Sequence, residues 1–350
     1  MSEFFFKPLY TITDEILTLT ADIASRADIL TIQSGMTLNP LLRRSNQILS
    51  VHSSLAIENN SLSLEQVTAI IEGKRVLAPP QEICEVQNAF EAYNILLDFD
   101  PYDMENILAA HRIMMKDLVL RPGELRTGAV GVVRGQEIVH IAPPPADVSG
   151  MLADLTLWTK KAAVHPLIKS CVFHFQFEFI HPFPDGNGRM GRMWQTLLLY
   201  KWKQIFAWMP IESMIREYQE EYYAALMQSN DSGYMTAFIA YMLRIIWNSI
   251  KAYAVGGQNS DHATDQGSDY ACGHVGAQAE NEIPEAVKKT VEAVGNSSLP
   301  AAEIMERLGF KHKPGFRKNY LNPALELGLI ERTIPDKPKS PYQKYRKAKK

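Results

Sequence analysis

The chain of 350 residues is long enough for two or three domains, and its 46% apolar and 21% charged residues are ordinary globular composition. No uncharged apolar run approaches about 18 residues, so no membrane span or membrane partner is expected. The formal charge of −3 conceals an asymmetry: residues 301–350 hold 13 Lys and Arg against 5 Asp and Glu, a surplus of +8 that leaves −11 on the rest.

In chain order, the N-terminus from Met1 to Pro8 has neither a basic n-region nor a small-residue cleavage site, so no secretory leader is expected. Cys84, Cys171 and Cys272 are scattered without metal-ligand spacing, which suits a reducing compartment; a cytoplasmic protein is expected. Asn39-Pro40 opens a helix, with an N-cap residue and Pro at N1. That helix carries Ile48, Val51, Leu55 and Ile57 and ends near Glu58-Asn59-Asn60. Ser63-Leu64-Glu65-Gln66 is a capping box for the next helix, which Gly73 stops. Residues 82–98 and 102–119 are amphipathic, the second with Ile107, His111, Met114 and Leu118 on one stripe.

Strand character is clear once. Val130 to Val133 and Ile138 to Ile141, joined by the turn-like Arg134-Gly135-Gln136-Glu137, predict a β-hairpin that Pro143-Pro144-Pro145 ends. Helices are expected at about 147–163, from Pro166 to Phe179-Ile180, and at about 187–202, 212–229 and 233–252. The fold class is therefore mainly α with one hairpin. Gly, Ser, Asn, Asp and Gln then dominate 255–282, a linker composition. Beyond it, Pro284–Val294, Ala301–Leu308 and Phe316–Leu327 are expected as short helices, with Ile330 to Ile334 and Tyr342 to Tyr345 as strands of a wing.

The chemistry lies in His181-Pro182-Phe183-Pro184-Asp185-Gly186-Asn187-Gly188-Arg189-Met190-Gly191-Arg192, a loop that feeds a helix N-terminus. Gly186 and Gly188 let backbone approach a bound group, and the free N–H groups of a first helical turn form an anion site. Arg189 and Arg192, three apart, add positive charge on one helix face. Asp185 offers a carboxylate to Mg²⁺, which takes one or two protein oxygens beside phosphate oxygens. His181 can take a proton near neutral pH. These are the parts of a phosphoryl-transfer site; the bland alternative is a Gly-rich loop with a core histidine and surface arginines.

This run resembles the signature of the Fic family, HxFx(D/E)GNGRxxR, at every defined position. Residues 102–250 also follow that family's layout of a His-bearing helix, hairpin, motif helices and a Tyr-Tyr helix. The resemblance implies a helical catalytic core with a hairpin flap, and transfer of AMP from ATP to a Ser, Thr or Tyr hydroxyl of a target protein. It makes His181 the base and Asp185 the Mg²⁺ ligand. Gly186, Asn187, Gly188, Arg189 and Arg192 would hold the phosphates. Ile138, Val139, His140 and Ile141 would be the flap on which the target docks as an added strand. Tyr222-Tyr223 and Asn230 resemble the adenine-side helix, with Tyr223 and Asn230 nearest the base, although Tyr222 and Tyr223 also read as plain packing. Related kinases carry lysine where this chain has Gly188, so glycine favours AMP transfer.

Upstream, Ser54-Leu55-Ala56-Ile57-Glu58-Asn59 matches the family's inhibitory motif, Ser/Thr-x-x-x-Glu-Gly/Asn. Ser54 and Glu58 are i and i+4 at a helix C-terminus, where the dipole disfavours a carboxylate without a cationic partner. The resemblance names Arg192 as that partner, acting in cis. The expected organisation is an N-terminal helical region (1–100) with this inhibitory helix, a catalytic core (101–254), a linker (255–282) and a winged-helix-like domain (283–350). That last domain, basic through Lys311, Lys313, Arg317 and Lys318, reads as a partner-binding or packing module or as a nucleic-acid binder. Removal of AMP at the same site, or a DNA-binding regulator that senses nucleotide, are the alternative functions. Monomer and homodimer are both left open.

Overall fold

The computed structural model describes residues 6–33, 40–134, 137–258, 290–291, 293–295, 298–308, 321, 324–325, 329–333 and 343–347. The chain divides into two compact units, Met1–Gln266 and Gly267–Lys350.

The first unit is mainly helical: α1 (Asp14–Gln33), α2 (Pro40–Ile57), α3 (Leu64–Ile71), α4 (Pro80–Asn94), α5 (Met104–Met114), the hairpin β1 (Gly131–Arg134) and β2 (Glu137–Ile141), then α6 (Pro145–Lys161), α7 (Pro166–Ile180), α8 (Asn187–Trp202), α9 (Ile211–Glu217), α10 (Gln219–Ser232) and α11 (Thr236–Gln258). Two hydrophobic clusters fill it. In one, α1, α9, α10 and α11 pack against Cys171, Val172 and Phe175 of α7. In the other, α2, α4, α5, α6 and α8 pack against Phe173, Phe177 and Ile180 of the same helix. Helix α7 is buried nearly all round because it is the wall shared by both clusters. Phe173 and Phe177 are fully buried, and truncating either to Ala would cost about 3–5 kcal/mol.

Local chemistry sets the boundaries near the site. Ser63 and Gln66 complete a capping box at α3, and Gly73 follows it at φ 74°. Helix α2 ends in a Schellman arrangement: Asn60 N–H donates to Leu55 O (3.1 Å) and Asn59 N–H to Ala56 O (3.1 Å), with Asn59 at φ 68°. This explains why Asn or Gly follows the glutamate: that residue must adopt a left-handed backbone. Glu58 thereby becomes the C-cap, turned off the end of the helix.

In the first unit the structure departs from the sequence expectations in several places. The helix expected over 82–98 ends at Asn94, before a short 3-10 turn at Leu96–Asp98. Helix α1 was not anticipated, and it docks on α11 through Arg244–Glu15 (2.6 Å). Helix α5 stops at Met114 rather than near 119. The run expected as one helix over 212–229 is two, broken at Tyr218 (φ −109°, ψ 40°). Helix α11 runs to Gln258, so residues 255–258, expected as linker, are helical; 259–282 lie outside the described residues. The hairpin forms as expected, with a register shift between Val132 and Val133.

In the second unit, β3 (Leu299–Pro300), α12 (Ala301–Arg307), β4 (Ile330–Arg332) and β5 (Lys344–Lys347) are described. The strands pair antiparallel in the order β3-β5-β4. Val294, Leu299, Ile304, Leu321, Ala324, Ile330 and Tyr345 form its core. The first anticipated strand is present over Ile330–Arg332 and pairs with the second, which runs over Lys344–Lys347 rather than 342–345; the short β3 was missed. Most of the helices expected over 284–294 and 316–327, including Arg317 and Lys318, and also Lys311 and Lys313, lie outside the described residues.

Candidate active site

His181 caps α7 in the left-handed region (φ 50°, ψ 61°), a costly backbone for a residue with a side chain. Its loop is held from below by His111 of α5, which is fully buried and stacked on Phe183 with ring centroids 3.6 Å apart. Gly123 N–H donates to His111 Nδ1 (2.8 Å), which makes Nε2 the protonated nitrogen, and that N–H donates to Asp185 O (3.0 Å). Burial pushes the His111 pKa down to about 4, so the ring stays neutral and serves as a strut.

The next turn is built around Gly186 (φ 83°), N-cap of α8, where a Cβ would meet Met115 Sδ at 2.7 Å. No side chain caps this helix start. Asn187 turns back instead: Phe183 N–H donates to its Oδ1 (2.9 Å) and its Nδ2 donates to Phe183 O (2.8 Å). The Asn187 side chain therefore shapes the loop and leaves the cradle to the backbone. Such a helix N-terminus has the geometry of an anion site.

Arg189, 5% exposed, reaches Asp185 Oδ1 (3.3 Å) and lies 3.9 Å from Glu85 Oε1, while its Nε is buried with no hydrogen-bond partner among the described residues. Asn60 Nδ2 donates to Glu85 Oε2 (2.9 Å), which fixes that carboxylate. The Asp185 carboxylate is 63% exposed. No group of three His, Cys, Asp or Glu that could hold a metal occurs among the described residues. One open carboxylate beside an anion cradle fits a Mg²⁺ that takes its other ligands from phosphates and water.

Arg192, on the same face, is 2% exposed and bound to the end of α2. Its Nε donates to Ser54 Oγ (3.1 Å), and its Nη2 donates to Ser54 O (3.0 Å) and Glu58 Oε1 (2.7 Å). Glu58 Oε1 also occupies the space of a Cβ on Gly188, so the carboxylate sits over the first turn of α8. Burial, the largest single influence, works against the Arg192 charge, but the Glu58 carboxylate together with Tyr222 and Glu178 offsets it and the net shift is upward. One turn along, Ser50 Oγ (2.9 Å) and Tyr93 Oη (2.8 Å) donate to the buried carboxylate of Glu212, which also accepts from Thr196 of α8 (3.3 Å). Helix α2 is thus fixed to α8 by two polar rungs.

Beneath Arg192, Glu178 lies where a Cβ on Gly191 would meet its Oε1 at 2.8 Å, and burial raises its pKa to about 8. His174 is fully buried between Gln195 Oε1 (2.6 Å) and Tyr222 Oη (3.0 Å), and burial lowers its pKa to about 3.

The structure therefore gathers His181, Asp185, Gly186, Asn187, Gly188, Arg189, Arg192, Ser54 and Glu58 into one site. Tyr222 packs in the core, whereas Tyr223 Oη lies 3.5 Å from Ile57 O, against the helix end that carries Glu58. Asn230 Oδ1 is buried without a hydrogen-bond partner among the described residues. Ile141 is 75% exposed at the hairpin's end; the side chains of Ile138, Val139 and His140 lie outside the description. The sequence reading missed Glu85, Arg126, Glu178 and Glu212, and also Gln219, whose Nε2 donates to Ile57 O (3.2 Å) at the end of α2. Glu178 and Glu212, charged residues inside apolar helical stretches, carried the detectable signal.

Comparison with known proteins agrees with this geometry. A profile of the Fic/DOC family matches residues 101–199, and one of the C-terminal domain of Filamentation induced by cAMP protein Fic-like proteins matches 285–348. The crystal structure of a Fic family protein from Desulfovibrio desulfuricans is 42% identical, covers 99% of both chains and superposes with a TM-score of 0.70. The chain belongs to the Fic family. It is also 27% identical over 234 residues to protein adenylyltransferase fic-1 of Caenorhabditis elegans, covering 63% of this chain and 44% of that one. Protein adenylyltransferase Fic of Aedes aegypti is 28% identical over 225 residues, with coverage of 60% and 43%. The chain thus spans less than half the length of these curated relatives. Within the Fic family, Gly188 and Glu58 of this member are sterically matched, since no larger residue fits at 188 while Glu58 is docked.

Proposed function

We propose that this chain is an autoinhibited protein adenylyltransferase that moves AMP from ATP to a hydroxyl of a target protein. The observation that carries this reading is the Glu58 carboxylate, seated on Arg192 over the first turn of α8. An anion built into the protein occupies the place an anionic ligand would take.

In the released state His181 accepts the proton of the target hydroxyl, whose oxygen attacks the α-phosphorus of ATP. The new O–P bond forms as the bond to the bridging α,β oxygen breaks, and pyrophosphate leaves with that electron pair. Backbone N–H groups of Gly186 to Gly188, together with Arg189 and Arg192, bind and orient the polyphosphate. Asp185 would hold Mg²⁺, which would supply neutralisation of the phosphate charge. Tyr223 and Asn230 line the adenine side. The target segment pairs with the free edge of the hairpin near Ile138 to Ile141. Docked Glu58 pushes the γ-phosphate off Arg192 and turns the α-phosphate out of line. Cys84 and Cys171, both free thiols, support a cytoplasmic site of action.

Comparison of α- and γ-labelled ATP with the Glu58→Gly protein and a cell lysate tests the chemistry. Label on protein from the α position alone is the expected result. Transfer of the γ label would overturn the AMP-transfer reading in favour of a kinase.

A further inference from the structure

Arg126 lies between α5 and β1, and its side chain is buried at 4% exposure. No carboxylate pairs with it among the described residues; its partners are backbone carbonyls. Nε donates to His181 O (2.7 Å), Nη1 to Gly128 O (3.1 Å), and Nη2 to Pro143 O (2.6 Å) and Ile180 O (3.2 Å). Its backbone N–H donates to Pro182 O (2.9 Å).

Three of these acceptors, the carbonyls of residues 180, 181 and 182, are consecutive at the end of α7. A helix leaves its last carbonyls unsatisfied, and a cation there is favoured by the dipole. Glycine commonly relaxes such an end. Here His181 occupies the left-handed position, and a guanidinium holds it there. The other two acceptors flank the hairpin, Gly128 before β1 and Pro143 after β2. Burying a cation without a counter-ion is costly, and four charge-assisted bonds offset that cost. Only arginine carries enough donors in one plane; a lysine ammonium has three on a single nitrogen.

We propose that Arg126 is a positioning residue that couples the hairpin to the base. A single guanidinium fixes the His181 backbone and both ends of the hairpin. A target segment docked on the hairpin therefore meets the imidazole in a set register. This inference rests on the AMP-transfer reading above and adds to it the residue that joins target docking to chemistry.

The test uses the full-length Glu58→Gly protein as parent. Arg126→Lys keeps the charge but not the four-way fork, and should lower kcat on the order of 10²-fold, the scale of a small misplacement of reacting groups. Affinity for a fluorescent ATP analogue should not change. Hydrogen exchange should quicken together in residues 127–143 and 179–183. A second variant inserts one glycine after Gly128, which leaves Arg126 intact but shifts the hairpin. It too should lose kcat without losing nucleotide affinity, and it decides the matter if Arg126→Lys fails to fold. Unchanged kcat in a folded variant, or faster exchange in only one of the two segments, would overturn the coupling. If the parent itself transfers no AMP, the functional reading fails, while the exchange measurement still decides whether Arg126 joins hairpin and base.

Discussion

Arg192 and Glu58, 134 residues apart, meet at 2.7 Å, with the guanidinium 1% and the carboxylate 36% exposed. The asymmetry matters. Arg192 depends on the pair, because a buried cation needs its counter-charge, whereas Glu58 can be solvated where it stands. Glu58→Gly should therefore destabilise the nucleotide-free protein by about 1–3 kcal/mol, through the unpaired guanidinium. ATP should restore more stability to the variant than to wild type. Thermal melts with and without ATP check this. A variant that melts like wild type without ATP would mean that the pair does not hold α2 in place.

The His181 assignment predicts a specific loss. His181→Ala should reduce AMP transfer by roughly 10²–10⁴-fold, the usual worth of a general base. ATP binding should persist, because the phosphate cradle belongs to α8. Transfer rates and nucleotide binding measured on one preparation separate the two. Near-normal transfer would place the base elsewhere.

His111 sets an acid limit on stability. Its folded-state pKa of about 4 lies below the unfolded value of about 6.5, so the unfolded chain takes up the proton first. The stabilisation from His111 is complete above about pH 6.5 and falls by about 1.4 kcal/mol per pH unit as pH drops toward 4. His174, held near 3 by burial, acts in the same direction. The stability gap between wild type and His111→Gln should thus narrow by about 2 kcal/mol between pH 6.5 and 5. Urea unfolding at the two pH values measures it, and a constant gap would refute the strut role.

The basic C-terminal residues make a separable prediction. If residues 283–350 bind nucleic acid through phosphates, affinity should fall steeply with salt. Deleting them should abolish binding and spare AMP transfer. No binding at low salt would leave a packing or partner-binding role.

Much of the site was legible because its residues are contiguous. His181 to Arg192 carries base, cradle and arginines in one run, and the caps at Ser63, Gly73 and Gly186 mark where helices start and stop. Glu58 was legible through the resemblance of Ser54 to Asn59 to the family's inhibitory motif. Long-range polar contacts were not. Arg126 sits in a loop without periodicity, and its partners are carbonyls, which no side-chain pattern encodes. Glu212 and Glu178 stand out as charges inside apolar stretches, but nothing in the sequence says which groups they meet. Helix α1 was missed because its apolar residues are spread round the helix, with Leu17 and Ile29 exposed beside the buried Ile16, Ile23, Ala27 and Leu30, so no single stripe stands out. The break at Tyr218 left no sequence sign, since neither Gly nor Pro marks it.

The central claim is that Glu58 restrains a competent site by holding Arg192. Its most direct test is the initial rate of AMP incorporation, measured as auto-modification in wild type, Glu58→Gly, Arg192→Ala and the double variant. Glu58→Gly should be faster than wild type by on the order of 10²-fold, the scale of restoring in-line geometry, with a much smaller gain in ATP affinity. Arg192→Ala should stay slow, because it removes a phosphate ligand along with the lock, and the double variant should match it. A Glu58→Gly protein no faster than wild type would contradict the account, leaving Ser54 to Asn59 as only the end of a core helix.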